Sequence, residues 1–303
     1  MMRAASRYVA FAAIALAISA ATALAQSAPS TAVVPRGHLV IVGGGPVPES
    51  INSRFVALAG GADTARIVIL PMASAEPVEA GQAREEIFAA LGARATTLIL
   101  DTATANGDSA IATLRTATGI WFPGGVQSRL TAALLGTRAL DVIRERYRAG
   151  AVVGGTSAGA AVMSDPMITG DERHPGGARP DSTTGFMTIA RDNIITEPGF
   201  GLLPGAIVDQ HFIRRKRHNR LVSLVLEASP HLGVGIDEST AIVVNPDGVW
   251  EVVGESQAII YDARGAVRTA GAGTPGATGI VMHVLPSGSR FDPRGGSARL
   301  PTP

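Results

Sequence analysis

Over the first half of the chain, short apolar runs that end in turn-forming residues alternate with stretches of helical spacing. Residues 38–42 (HLVIV) lead into Gly43-Gly44-Gly45, residues 65–70 (ARIVIL) into Pro71, and residues 96–100 (TTLIL) into Asp101. Unbroken β-branched runs of this length predict strands buried on both faces, as in a parallel sheet. Between them, residues 76–91 and 109–116 have helical spacing, and residues 129–148 carry Leu130, Leu134, Leu135, Leu140, Val142 and Ile143 as one apolar face. Two more strands are expected at 119–122 and 151–153, each opening into a glycine pair. The fold class read from this order is α/β, a mostly parallel sheet flanked by helices, with ligands at the carboxyl ends of the strands.

The second half changes character. Residues 205–211 form an apolar strand ending in Asp209-Gln210-His211, and 235–244, 249–253 and 258–262 are short strands with a hairpin signal at Asn245-Pro246-Asp247-Gly248. We read these as an antiparallel C-terminal extension of the same domain, spanning 37–285. Residues 286–303, rich in Pro, Gly, Ser and Arg, are expected to be a loose tail.

The N-terminus has a different pattern. Arg3 and Arg7 precede an Ala-rich apolar run that closes on Ala23-Leu24-Ala25, the form of a secretory signal cleaved after Ala25, with 26–36 as a linker. The run is Ala-rich and followed by a polar Ser/Pro segment, so cleavage is expected and no membrane association afterwards. Location in the periplasm or medium follows. Removing Arg3 and Arg7 takes the formal charge from +1 to −1, so no whole-protein field recruits nucleic acid. The chain has no cysteine, which excludes disulfide scaffolds, thiolate metal sites and thiol nucleophiles together. Any covalent catalysis must use another side chain.

The strand at 151–153 opens into Gly154-Gly155-Thr156-Ser157-Ala158-Gly159-Ala160, which contains G-x-S-x-G between a strand and a helix. Such a turn is too tight for side chains two residues either side of the serine, and it presents the hydroxyl at the positive end of a helix. Serine needs a base, and the base a group that holds its tautomer. Of six histidines, His38 and His231 have structural settings and His174 lies in a polar loop at 171–181. Two triads are conceivable: Ser157, His211 and Glu238, or Ser157, Asp237 or Glu238, and His283. His283 is embedded in an apolar run, whereas His211 and Glu238 both stand at strand ends, so His211 is favoured as base and Glu238 as its orienter. The amides of Ala158 and Gly125 are the candidate oxyanion donors. Gly43-Gly44-Gly45 lacks the spacing of a nucleotide loop.

In order along the chain, Phe122-Pro-Gly-Gly-Val-Gln127, Gly154-Gly-Thr-Ser-Ala-Gly-Ala160, Gly201-Leu-Leu-Pro204, Asp209-Gln-His-Phe212, the cations Arg215, Arg217 and Arg220, and Gly235-Ile-Asp-Glu-Ser-Thr-Ala241 resemble the cyanophycinases. These are serine peptidases related to dipeptidase E, with a fold similar to class I glutamine amidotransferases. The resemblance implies exo-type hydrolysis of cyanophycin, a poly-aspartate bearing arginine on each β-carboxyl, to β-aspartyl-arginine through an acyl-enzyme. By the same resemblance, Ser157, His211 and Glu238 are the triad, and Gln127, Asp209, Gln210, Arg215, Arg217 and Arg220 line the substrate pocket. No metal or cofactor is implied, and a homodimer is compatible with the pattern. The chain departs from the family's usual acidic or amide residue at Val126 and from its usual acidic residue at Gly45-Pro46-Val47. Other aspartyl or isoaspartyl peptides, and a non-catalytic periplasmic module that binds acidic or arginine-rich peptides, are the competing readings.

Overall fold

The computed structural model describes residues 34–173, 188–227 and 229–302. The leader, most of the linker and the 174–181 part of the polar loop, with His174, lie outside the described residues. The elements in chain order begin with β1 (Leu39–Val42), α1 (Glu49–Leu58), β2 (Arg66–Ile69), α2 (Pro77–Ala90), β3 (Arg94–Thr97), α3 (Asp108–Thr116) and β4 (Gly119–Phe122). They continue with α4 (Gln127–Leu134), α5 (Arg138–Ala149), β5 (Val152–Thr156), α6 (Ala158–Ala161), β6 (Met167–Glu172), β7 (Ile194–Glu197), β8 (Ile207–Gln210) and α7 (His218–Glu227). The C-terminal part holds β9 (Leu232–Ile236), β10 (Thr240–Val244), β11 (Trp250–Gly254), β12 (Gln257–Asp262), β13 (Val267–Arg268), β14 (Ala277–Thr278), β15 (Val281–Pro286), β16 (Arg290–Asp292) and β17 (Ser297–Arg299).

Nine strands form one mixed sheet in the order β17-β16-β11-β10-β1-β5-β4-β2-β3, and β15-β12-β9-β8 form a second. In the large sheet β1, β5, β4, β2 and β3 are parallel neighbours. Every residue of β1, β4 and β5 is buried, as their unbroken apolar runs require. The other four strands extend the sheet from β1 in antiparallel succession, β10 on β1, β11 on β10, β16 on β11 and β17 on β16. In the second sheet β8 and β9 are parallel, and β12 and β15 antiparallel.

One face of the large sheet is covered by α1 and α2, whose Ile51, Phe55, Val56 and Phe88 join Val40, Val42, Ile69 and Trp121 in one apolar cluster. Side chains of α3, α4, α5 and α6 cover the other face. So β1 and β2 lead into helices on one side, and β4 and β5 into helices on the other. That alternation opens crevices at the carboxyl ends of β1/β5 and of β4/β2.

Several expected boundaries differ. The single helix expected over 129–148 is two, because Gly136 turns the chain at φ 73° and Thr137 caps α5 by accepting from the Leu140 N–H. The strand expected at 96–100 is β3 at Arg94–Thr97 instead, beginning earlier and ending before Leu98, and as an edge strand it is partly exposed rather than buried on both faces. The strand expected at 235–244 divides at Asp237-Glu238-Ser239, where the chain leaves the second sheet and enters the large one, with Ser239 at φ 53°. The tail expected to be loose instead supplies β16 and β17 to the large sheet. Phe291 accounts for this: fully buried, it packs against Trp250 at 5.3 Å between ring centroids and against His283 at 5.3 Å. One such aromatic anchors a segment whose Gly and Pro content otherwise reads as coil.

Candidate active site

The residue after β5 is Ser157, in a backbone conformation (φ 55°, ψ −109°) that L-residues rarely adopt. Its N–H is fixed to the Val42 carbonyl at 3.1 Å, and its own carbonyl receives the Ala160 and Ala161 N–H groups at 3.0 Å. Strand and helix thus hold the turn from both sides. Gly155 and Gly159 face each other: a Cβ on Gly155 would lie 2.5 Å from the Gly159 carbonyl oxygen, the steric demand expected of the motif.

His211 follows β8 and Glu238 follows β9, two parallel strands of the second sheet. The Ser157 hydroxyl lies 2.9 Å from His211 Nε2, and His211 Nδ1 lies 2.6 Å from Glu238 Oε1. With the carboxylate accepting from Nδ1–H, Nε2 is left to accept the serine proton. His211 is buried, and burial pushes its pKa below the ordinary histidine value; Arg215 and Arg217 push the same way, while the hydrogen bond to Glu238 opposes them. A neutral imidazole at neutral pH is the form a general base requires.

Two features that sequence reasoning missed hold the base in place. Gly44, at φ +114°, lies against the imidazole: a Cβ there would sit 2.3 Å from Cε1 and 2.4 Å from Nε2. The His211 N–H donates to the Gly43 carbonyl at 2.6 Å, and the Ser239 N–H to the Gly44 carbonyl at 2.9 Å. The glycine run after β1, which lacks the spacing of a nucleotide loop, is therefore the floor under the Ser157–His211 pair, and only the run of three glycines at a strand end hinted at it. Asp237 is the second feature. Its Oδ1 accepts from the Ile213 and Arg214 N–H groups at 3.0 and 2.9 Å, and its Oδ2 from Ser256 at 2.8 Å. It caps the turn after His211 and takes no part in a triad. His283 of β15 pairs with Ile260 of β12 and packs on Phe291, so the alternative triad is not assembled.

Of the proposed oxyanion donors, Ala158 begins α6 directly after the nucleophile, and the Gly124-Gly125 turn lies beside it: a Cβ on Gly124 would be 3.4 Å from the Ser157 Cβ. Gly125 has φ +138° and presses on the Ala73 carbonyl, which also receives the Val126 N–H at 2.8 Å. These contacts fix the turn and leave both amides outside the sheet ladders.

The residues expected to line the substrate pocket divide. Arg215 and Arg217 are half-buried in the turn after His211, their N–H groups bound to the His211 and Phe212 carbonyls at 2.9 Å. Arg217 Nη1 donates to the Gln210 backbone and side-chain oxygens at 2.7 and 2.8 Å and stands 3.9 Å from Asp209. Burial is the main cause that lowers its pKa to about 9. Asp209 and Arg220 are paired with each other. Their side chains are 0% and 1% exposed and form a two-contact ion pair, so the Asp209 charge is met inside the fold. Gln127 donates from Nε2 to the Ile168 and Thr169 carbonyls of β6. Val126 is exposed. Among the described residues no group of three or more His, Asp or Glu stands together as a metal site.

A serine on a strained strand-to-helix turn, a neutral imidazole and a carboxylate in hydrogen-bonded line constitute the apparatus for nucleophilic hydrolysis. A family model described as Peptidase family S51 matches residues 39–252, a span that takes in all three. The chain belongs to peptidase family S51. As an S51 chain it is a serine-type peptidase. It is 36% identical over 239 residues to the cyanophycinase of Trichormus variabilis, covering 76% of each chain. It is 34% identical over 268 residues to that of Geminocystis herdmanii, covering 85% of this chain and 94% of the other. The cyanophycinase of Synechococcus elongatus is 37% identical over 219 residues, 71% of this chain and 64% of its own. Among solved structures, a peptidase from an acI-B1 actinobacterium shares the fold, with a TM-score of 0.59 at 22% identity over 81% of this chain and 98% of that one.

Proposed function

We propose that this S51 peptidase hydrolyses cyanophycin, releasing β-aspartyl-arginine dipeptides through an acyl-enzyme on Ser157. The observation that carries the chemistry is the Ser157–His211–Glu238 line at 2.9 and 2.6 Å. In this reading Ser157 attacks the peptide carbonyl as its proton passes to His211 Nε2. The tetrahedral oxyanion is held by the Gly125 and Ala158 amides, and His211 returns the proton to the leaving amine. Water then resolves the ester with His211 again as base. Arg217, held in place by Gln210, and Arg215 supply the guanidinium groups that a substrate rich in carboxylates needs. Asp209 and Arg220 serve as the buried support of that arm rather than as substrate contacts. A module that only bound peptides would have no use for a serine at φ 55° aligned on a buried imidazole.

The finer fold reading is likeness to class I glutamine amidotransferases, with Ser157 at the turn where such enzymes commonly place a cysteine. The Ala-rich N-terminal run closing on Ala23-Leu24-Ala25 supports reading residues 1–25 as a secretory leader, with a mature enzyme that begins near Gln26 and works outside the cytoplasm. Incubation of purified protein with insoluble cyanophycin tests the substrate: soluble β-aspartyl-arginine is expected, and hydrolysis of simple aspartyl dipeptides without attack on the polymer refutes it.

A further inference from the structure

The turn that carries His211 gives two of its backbone donors to a side chain from another strand end. In residues 211–217 the His211 and Phe212 N–H groups donate to the Gly43 and Ile236 carbonyls at 2.6 and 3.2 Å, and those of Arg215, Lys216 and Arg217 donate to carbonyls of the turn itself. The Ile213 and Arg214 N–H groups both donate to Asp237 Oδ1, at 3.0 and 2.9 Å. Asp237 is buried and directly precedes Glu238, so the residue that holds the base's turn is the chain neighbour of the acid that orients the base. Hydrogen bonds to an ionised acceptor are the stronger kind, and here one oxygen takes two. His211 itself sits at φ 48°, a conformation that an L-residue keeps only where its surroundings fix it.

The other Asp237 oxygen is held from behind. The Ser256 hydroxyl donates to Oδ2 at 2.8 Å, and Ser256 stands in the turn between β11 and β12. That turn is fastened to the loop of the acid as well. The Glu255 N–H donates to the Ser239 carbonyl at 3.0 Å, the Ser256 N–H to the Thr240 hydroxyl at 2.8 Å, and the Thr240 hydroxyl to the Glu238 carbonyl at 3.0 Å. Gly254, at φ +118°, permits the approach: a Cβ there would lie 2.3 Å from the Ser239 carbonyl oxygen. A line thus runs from the β11–β12 turn through Ser256 and Asp237 to the backbone at 213–214. Among the described residues no side-chain hydrogen bond of Asp237 or Ser256 goes to Ser157, the imidazole or the Glu238 carboxylate.

We propose that Asp237, anchored by Ser256, is a positioning residue for the triad: it clamps the turn that carries His211 to the turn that carries Glu238 and so sets the His211–Glu238 contact. The proposal rests on the triad and not on the identity of the peptide cleaved. Two adjacent acids at the end of β9 divide the work, Glu238 holding the ring and Asp237 the backbone beneath it.

The test needs no peptide. The rate at which diisopropyl fluorophosphate labels Ser157 reads the base, and proton NMR reads the short His211 Nδ1–H bond to Glu238 as a downfield resonance. Asp237→Ala is expected to slow labelling about 10²-fold, the usual cost of a misplacement near 1 Å, and to broaden or abolish that resonance, with far-UV circular dichroism unchanged. The His211 titration is expected to move to lower pH, because the Glu238 contact raises its pKa while Arg215 and Arg217, which lower it, stay in place. Asp237→Asn keeps an oxygen for the two N–H groups and is expected to restore most of the rate. Ser256→Ala removes only the outer anchor; it is expected to slow labelling about fivefold, the scale of one hydrogen bond, and to slow it no further in Asp237→Ala protein. Should Asp237→Ala fail to fold, Ser256→Ala and Asp237→Asn decide. Labelling at the wild-type rate by Ser256→Ala with the His211 titration unmoved would overturn the proposal. So would a loss of rate in an Asp237 variant that follows its thermal melt and leaves the resonance and titration where they were. Wild-type protein unlabelled at Ser157 would overturn the triad and the proposal with it, whereas intact cyanophycin beside normal labelling faults the substrate alone.

Discussion

Gly44 lies directly against His211, so close that a methyl group on Gly44 would occupy the imidazole's place, 2.3 Å from Cε1. The position also has φ +114°, which an L side chain rarely adopts. Gly44→Ala is expected to displace His211 and lower kcat by about 10²-fold, the usual cost of a misplacement near 1 Å. Steady-state kinetics beside a thermal melt checks this, the melt moving little relative to the loss of turnover.

The acid limb of kcat/KM reports His211, whose pKa lies below its ordinary value chiefly because it is buried. Activity is therefore expected to persist below the pH at which an exposed histidine would be half protonated. The neighbours give the signs. Arg215→Gln removes a cation that lowers the pKa, so the limb moves to higher pH; Glu238→Gln removes the contact that raises it, so the limb moves to lower pH as the rate falls. Titration of the His211 ring by NMR gives the same ordering without reference to substrate.

Asp209 and Arg220 are a stability element. Their side chains are 0% and 1% exposed, and removing one partner of such a pair leaves a buried charge, at a cost of about 3–5 kcal/mol. Asp209→Ala is expected to lower the urea midpoint sharply, and any folded fraction to keep a near-normal KM. A variant of full stability with raised KM would return Asp209 to the substrate pocket.

The C-terminal strands are part of the core through Phe291, which is fully buried against Trp250. Phe291→Ala is expected to cost about 3–5 kcal/mol by loss of a buried aromatic. Equilibrium denaturation measures it; an unchanged midpoint would mean that residues 290–299 contribute nothing to the fold.

The parallel half of the fold was legible in the sequence because its strands, such as Leu39–Val42 and Gly119–Phe122, are buried on both faces and read as unbroken apolar runs. The triad was legible because Ser157, His211 and Glu238 each follow such a run, where an α/β sheet gathers its ligands. What escaped was non-local. A glycine's use as a floor depends on which side chain arrives from the second sheet, and nothing in Gly43-Gly44-Gly45 names His211. The fate of Asp209 and Arg220 turned on whether an ion pair closes inside the turn or opens to the site, and eleven residues of sequence separation do not say. The partners of Gln127 could not be read either, because they are backbone carbonyls of Ile168 and Thr169, which carry no sequence signal. The tail was misread since its single buried aromatic is outnumbered by turn formers.

The most direct measurement is peptide mapping of the mature enzyme after exposure to diisopropyl fluorophosphate, with cyanophycin hydrolysis followed in parallel. A covalent adduct confined to Ser157, with loss of dipeptide release in proportion to labelling and no release by Ser157→Ala, is the expected result. Labelling at another serine, or continued release of β-aspartyl-arginine by Ser157→Ala, would contradict the assignment of Ser157 as nucleophile.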